Sequence, residues 1–208
     1  MLPDRITVQQ LPVRTAGVPV GIAESDLGPV TVDMIEDRHF LVFGDAGAGK
    51  TSFLRTWIGG LLERQAATDA RLVLFDYRRS LLGLVPDDHL GAYAADSTTA
   101  RVYVEQVCAK LRERLPPPTI SQHDLRARAW WEGPQIYVVV DDYDLVGGGA
   151  GAPLAPLVEF VPHAREVGLQ IVLTRKVTGM SRASMGDQLL QRPKELGCGG
   201  LAGVSWLF

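Results

Sequence analysis

The residues with the plainest chemistry are Gly44-Asp45-Ala46-Gly47-Ala48-Gly49-Lys50-Thr51, which fit the pattern G-x-x-x-x-G-K-[ST]. Glycines at these spacings let the backbone curl so that successive N–H groups point inward, and a helix starting at Lys50 adds the positive end of its dipole. Such a loop is a cup for phosphate oxygens. Lys50 is placed to reach the β- and γ-phosphates, and the Thr51 hydroxyl to bind Mg²⁺. The chemistry also needs a carboxylate at the end of a neighbouring strand. Ile136-Tyr137-Val138-Val139-Val140-Asp141-Asp142 supplies it, with Asp141 expected to hold Mg²⁺ through water. A further strand expected at 72–75, between the two motifs, marks the additional-strand class of P-loop NTPases. The chain has no Asn-Lys-x-Asp guanine reader, so ATP is the expected nucleotide.

Three further residues have two readings each. In the additional-strand class a glutamate that activates water follows the Mg²⁺ aspartate, whereas here the position is Asp142. Its side chain is one methylene shorter, which sets the carboxylate back on the order of 1 Å and can cost about 100-fold in rate, so slow hydrolysis is expected. Asp142 can equally be a cap on the next turn with no part in the chemistry. Thr174, at the end of the following strand with Arg175 beside it, is either a polar γ-phosphate sensor or a structural threonine. Asp76, at the end of another strand, faces the same rim and reads chiefly as a loop anchor.

These residues need a scaffold, and the hydrophobic pattern supplies one. Short all-apolar runs at 40–43, 72–75, 136–140 and 169–174 predict buried strands. They alternate with helices expected from Lys50 to about Arg64, from about Thr98 to Arg114, and from about Pro153 to Val167. Asp96 or Ser97 caps the second helix and Pro116-Pro117-Pro118 stops it. Strands buried on both faces and joined by helices form a doubly wound, mostly parallel α/β sheet with right-handed crossovers. Val18 to Ala23 and Pro29 to Val32 predict an antiparallel edge hairpin ahead of it.

Composition agrees with one packed unit over residues 1–208. Hydrophobic residues are 46% and charged residues 22%, against disorder, and the net charge of −3 offers no general attraction to nucleic acid or anionic lipid. The longest purely apolar run, Ile136 to Val140, is far below the roughly 18 residues that cross a bilayer, so a cytoplasmic domain without membrane insertion is expected. Cys108 and Cys198 are far apart and lack ligand spacing; they read as packing thiols.

One stretch is more specific than the phosphate loop. Leu125-Arg126-Ala127-Arg128-Ala129-Trp130-Trp131-Glu132-Gly133-Pro134, running into Val138-Val139-Val140-Asp141-Asp142-Tyr143-Asp144-Leu145-Val146, resembles the C-terminal ATPase domain of EccC, the FtsK/SpoIIIE-type motor of type VII (ESX) secretion. Val18-Pro19-Val20-Gly21-Ile22, Pro153-Leu154-Ala155-Pro156-Leu157, Leu190-Gln191-Arg192 and Glu195-Leu196-Gly197 extend the likeness from about Leu11 to Leu201. The resemblance implies a RecA/FtsK-like fold within a longer chain of tandem ATPase domains that hexamerises at the inner membrane through other segments. It also implies docking of the C-terminal Y-x-x-x-D/E signal of secreted WXG-type helical-hairpin heterodimers, with turnover driven from the first ATPase domain. The alternative for the same fold is an active FtsK-like DNA translocase, which the net charge, Asp142 and the lack of a basic appendage disfavour.

Trp130 and Trp131 either line a groove for a helical peptide or cover the sheet rim; Arg126 and Arg128 either reach a phosphate across a subunit interface or form an exposed helix face. The family pattern continues past Leu201, whereas this chain runs Ala202-Gly203-Val204-Ser205-Trp206-Leu207-Phe208. Residues 1–10 and 202–208 are therefore expected to be atypical ends, the latter from truncation or from foreign sequence.

Overall fold

The structure, a computed structural model, describes residues 17–22, 26–34, 38–127, 130–147, 152–177, 189 and 199–201. Residues 1–10 and 202–208, the glycine run beyond Gly147, Arg128, Cys198 and the segments 190–192 and 195–197 lie outside the described residues.

Six parallel strands form the main sheet: β3 (His39–Phe43), β4 (Ala70–Phe75), β5 (Leu90–Ala94), β6 (Gln135–Val140), β7 (Leu169–Arg175) and β8 (Gly199–Leu201), in the order β5-β4-β6-β7-β3-β8. The apolar runs exist because alternate side chains serve two cores. Phe40, Val42, Leu72, Leu74, Tyr137, Val139 and Val172 face one side. Leu41, Val73, Phe75, Val138, Val140, Ile171 and Leu173 face the other. Helix α1 (Lys50–Leu62) covers the first face with Phe53, Leu54, Trp57 and Ile58; α2 (Ser97–Glu113) covers the second with Val104, Cys108 and Leu111. Each such side chain, fully removed from water, contributes about 1.5–3 kcal/mol.

The strand β3 that feeds the phosphate loop and the strand β6 that leads into Asp141 are separated in the sheet by β7. That is the inserted strand of the additional-strand class. β4, the strand between the two motifs in sequence, lies on the far side of β6 instead. The expected hairpin also forms, from β1 (Val18–Ile22) and β2 (Pro29–Val32), but as a separate antiparallel sheet packed on α1 rather than hydrogen-bonded to an edge of the main one.

Helix α2 begins where its cap predicts, with the Asp96 carboxylate accepting N–H bonds from Thr98 and Thr99, both at 2.9 Å. The helix expected over 153–167 takes another form. Ala155–His163 is 3₁₀ and only Ala164–Val167, α5, is an α-turn. Pro162, inside the segment, has no N–H to donate and its ring crowds the i−4 carbonyl of an α-helix, a clash that the tighter winding relieves. Strand β5, with only Leu90 and Tyr93 as large apolar residues, carries too weak a pattern to be foreseen, as do the short helices α3 (Gln122–Ala127) and α4 (Tyr143–Val146). Among the described residues no helix is long and apolar enough to cross a membrane.

Candidate functional site

All strands of the sheet run the same way, so the loops after β3, β4, β6 and β7 gather at its carboxyl end, where ligands of open α/β sheets bind. The loop after β3 is pinned at its start by Gly44 N–H donating to the Arg175 carbonyl at 3.1 Å, and it closes on itself through Ala48 N–H to the Asp45 carbonyl at 3.2 Å. Gly49 is the N-cap of α1 at φ 78°, ψ 14°, left-handed backbone that only glycine adopts cheaply, and it brings no side chain to cap the helix. The first-turn amides of α1 thus have no intrahelical acceptor and face the loop mouth. Lys50 Nζ lies over the same loop, donating to the carbonyls of Gly44 and Asp45, each at 2.8 Å.

Thr51 and Asp141 meet across the cleft. Thr51 Oγ1 donates to Asp141 Oδ2 at 2.8 Å, and the other carboxylate oxygen, Oδ1, accepts from Thr174 Oγ1 at 2.9 Å. Thr174 is fully buried and its hydroxyl also accepts the Asp142 N–H at 2.9 Å. One hydroxyl on β7 therefore fixes both aspartates at the end of β6. The Thr174 hydroxyl is spent on protein partners on both sides, which makes it a positioning group in this arrangement.

Asp142 sits at the N-cap of α4, yet its side chain makes no cap bond; only its carbonyl takes part, accepting Leu145 N–H at 2.8 Å. Its φ of 56° is left-handed, a region where aspartate is better tolerated than most residues. The carboxylate is turned to Arg78, with Asp142 Oδ2 2.8 Å from Nη2, while Oδ1 is buried without a partner. Arg175, expected beside the sensor position, turns elsewhere: its Nε donates to Asp144 Oδ1 at 2.9 Å and its guanidinium lies 6.0 Å from the Tyr143 ring centre.

The result is a cleft of about 370 Å³ lined by residues 46–52 with Arg78, Asp141, Asp142 and Lys176. Three cations, Lys50, Arg78 and Lys176, face two carboxylates there. A hydroxyl and a carboxylate 2.8 Å apart, a lysine over the loop and the amides of the α1 N-terminus match the donor set of a Mg²⁺–triphosphate. Sequence reasoning overlooked Arg78, Lys176 and Asp144. Arg78 stands three residues past the end of β4, in Asp76-Tyr77-Arg78, and its place after a strand end at the same rim is a signal that could have found it.

Asp76 stays out of the cleft. Its Oδ2 accepts Leu81 N–H at 2.6 Å and the Tyr93 hydroxyl at 2.8 Å, anchoring the loop after β4. Burial and that carboxylate push the Tyr93 phenol well above its ordinary pKa. The tryptophan pair lies at the opposite end of the sheet. Trp130 Nε1 donates to the Arg114 carbonyl at 2.8 Å and Trp131 Nε1 to the Glu166 carbonyl at 2.7 Å, which binds the connection before β6 to the rim. Arg126 is on the exposed helix α3. Burial raises the Cys108 thiol to about 11, consistent with a packing role.

The chain matches the FtsK/SpoIIIE family over residues 7–189. It is 41% identical to the ESX secretion system protein EccC of Thermomonospora curvata over 204 residues, 97% of this chain and 15% of that protein. It is 37% identical to the ESX-4 secretion system protein EccC4 of Mycobacterium tuberculosis, over 95% of this chain and 16% of that protein. It superposes with a TM-score of 0.91 on a solved structure of Thermomonospora curvata EccC, ATPases 2 and 3, in complex with a signal sequence peptide, at 41% identity and covering 97% of this chain and 36% of that one. The chain thus spans about one sixth of the length of these two curated relatives.

Proposed function

The chain belongs to the FtsK/SpoIIIE family, and from that premise we propose that it is an ATP- and Mg²⁺-binding module of a type VII secretion motor, weak as a hydrolase, that docks the C-terminal signal of secreted WXG-type substrates. The observation that carries the nucleotide half is the meeting of Thr51 and Asp141 at 2.8 Å beside the phosphate loop. Residues 44–51 cradle the phosphates, with the backbone of Gly47, Ala48 and Gly49 supplying amides and Lys50 a charge. Thr51 binds the metal directly and Asp141 through water. Bound Mg²⁺ offsets phosphate charge. Thr174 keeps Asp141 and Asp142 in place. Asp142 is the acceptor for a proton from water, but its short side chain and its ion pair with Arg78 make it a poor one.

The docking half rests on similarity to an EccC structure described as holding a signal sequence peptide. Hexamerisation, contact with preceding ATPase domains and inner-membrane association through other segments are further parts of this proposal, taken from the resemblance of the sequence to EccC. The nucleotide test is thermal melting with Mg²⁺ and ATP. At a ligand concentration about 100 times Kd, binding should add about 2.7 kcal/mol of stability. Lys50→Ala should abolish that gain while leaving the unliganded melt unchanged; equal gains in both forms would reject the site. Docking is tested separately by titrating a labelled peptide carrying the Y-x-x-x-D/E signal against a scrambled control.

A further inference from the structure

Asp142 does not face the cleft alone. Arg78 Nη2 stands 2.8 Å from Asp142 Oδ2, with 57% of the Arg78 side chain exposed against 10% for Asp142. The backbone under Arg78 is tied down on both sides. Arg79 N–H donates to the Asp76 carbonyl at 3.1 Å, and Leu81 N–H to the Asp76 carboxylate at 2.6 Å. The root of the side chain is fixed, and its guanidinium stands in water at the cleft wall.

The order of strands sets what that guanidinium can reach. Along the carboxyl edge β3, β7, β6 and β4 follow one another. They bring the phosphate loop, Thr174, the Asp141–Asp142 pair and Arg78 to the rim in that sequence. A phosphate chain anchored in the loop and running toward Thr51 and Asp141 has its terminal group at the Arg78 end. A guanidinium fork pairs with phosphate oxygens in bidentate fashion, and a terminal phosphate carries more charge than one carboxylate. Of the other two cations of the cleft, Lys176 follows β7, on the loop side of the aspartates, and Lys50 belongs to the inner phosphates as well and does not separate ATP from ADP by itself.

We propose that Arg78 is the residue by which this chain distinguishes a nucleoside triphosphate from a diphosphate, exchanging its partner from Asp142 to the terminal phosphate. The exchange also frees the Asp142 carboxylate. Its Oδ1 is buried without a partner, so once Oδ2 is released the group has acceptor capacity that a water in the cleft fills. Arg78 thus couples recognition of the third phosphate to exposure of the residue proposed to activate water. This inference rests on the nucleotide reading above and names the specificity element of the same site.

The experiment is a calorimetric titration of the 208-residue chain with ADP and with a non-hydrolysable ATP analogue, each with Mg²⁺, for the parent, Arg78→Gln and Arg78→Lys. Arg78→Gln should weaken the triphosphate about tenfold, the scale of one charge-assisted pair partly open to water, and leave ADP within about twofold. Arg78→Lys should recover part of the loss, since it keeps the charge and loses the fork. An unchanged ratio of ATP-analogue to ADP affinity in Arg78→Gln overturns the proposal, and so does an equal loss for both nucleotides. If the parent binds neither nucleotide, the function proposed above fails first and takes this inference with it.

Discussion

The two ends of the sheet hold similar kinds of side chain and use them differently. At the amino end, Trp130 and Trp131 donate to backbone carbonyls, Arg114 lies 4.2 Å over the Trp131 ring and donates to the Val167 carbonyl at 3.2 Å, and Gly168 takes φ 73° beneath the indole. A Cβ at Gly168 would stand 2.7 Å from the Trp131 ring, so glycine is needed twice over, for backbone and for space. At the carboxyl end, Lys50 rests on carbonyls of its own loop, Arg78 on Asp142, and Asp142 holds a left-handed backbone with an unpartnered oxygen. Charged groups near the tryptophans close the structure. Those near the loop are held in exchangeable pairs, as a site must hold them if a ligand is to compete.

This contrast predicts that damage at the amino end costs stability without touching ligand binding, and the reverse at the carboxyl end. Trp131→Ala is expected to have the largest effect. It removes a half-buried indole, the donor to Glu166 and the face under Arg114, for about 3 kcal/mol, or on the order of 10 °C in Tm, with nucleotide affinity unchanged. A shift in affinity as large as the shift in stability would break the comparison.

His39, at the start of β3, tests the same end by pH. Burial holds its pKa down at about 4, from 6.5, with Nδ1 unpartnered. The unfolded chain then binds the proton first, so stability is full above about pH 6.5 and declines as pH falls toward 4. The loss should reach about 2 kcal/mol at pH 5 relative to pH 8 in urea titrations, and His39→Phe should flatten that limb.

Thr174→Val probes the boundary between the two regimes. Removing the hydroxyl leaves the buried Asp142 N–H without its acceptor and Asp141 without one donor, for about 1 to 2 kcal/mol. It should also weaken Mg²⁺-dependent nucleotide binding about tenfold, since Asp141 loses its orientation. A loss of stability alone would mean that Asp141 is held well enough by Thr51. The smallest effect is expected from Asp142→Glu. Left-handed backbone costs glutamate about 1 kcal/mol or less beyond aspartate, ADP affinity should hold, and turnover should rise as the missing methylene is restored. A fall in turnover would mean that the shorter carboxylate is already well placed.

The phosphate loop, the strand that carries Asp141, the cap at Asp96 and the parallel sheet were legible because each is a local or periodic signal. A glycine pattern, an apolar run ending in two aspartates, and a capping side chain act within a few residues of themselves. The 3₁₀ segment was misread because apolar spacing suits either helix, while Pro162 decides between them only through backbone geometry. β5 was missed because a short strand at the sheet edge needs little apolar sequence.

Sequence alone named the candidates for binding phosphate and metal, since the chemistry of Lys50, Thr51 and Asp141 is written in residue type and spacing. Only the tertiary structure decided what their neighbours do. It inserted β7 between the two motif strands, which put the Thr174 hydroxyl on both aspartates, and it brought the loop after β4 round to place Arg78 on Asp142. Those pairings join residues far apart in the chain, and no local pattern encodes them; they follow from strand order, fixed by burying apolar surface on both faces of the sheet at once.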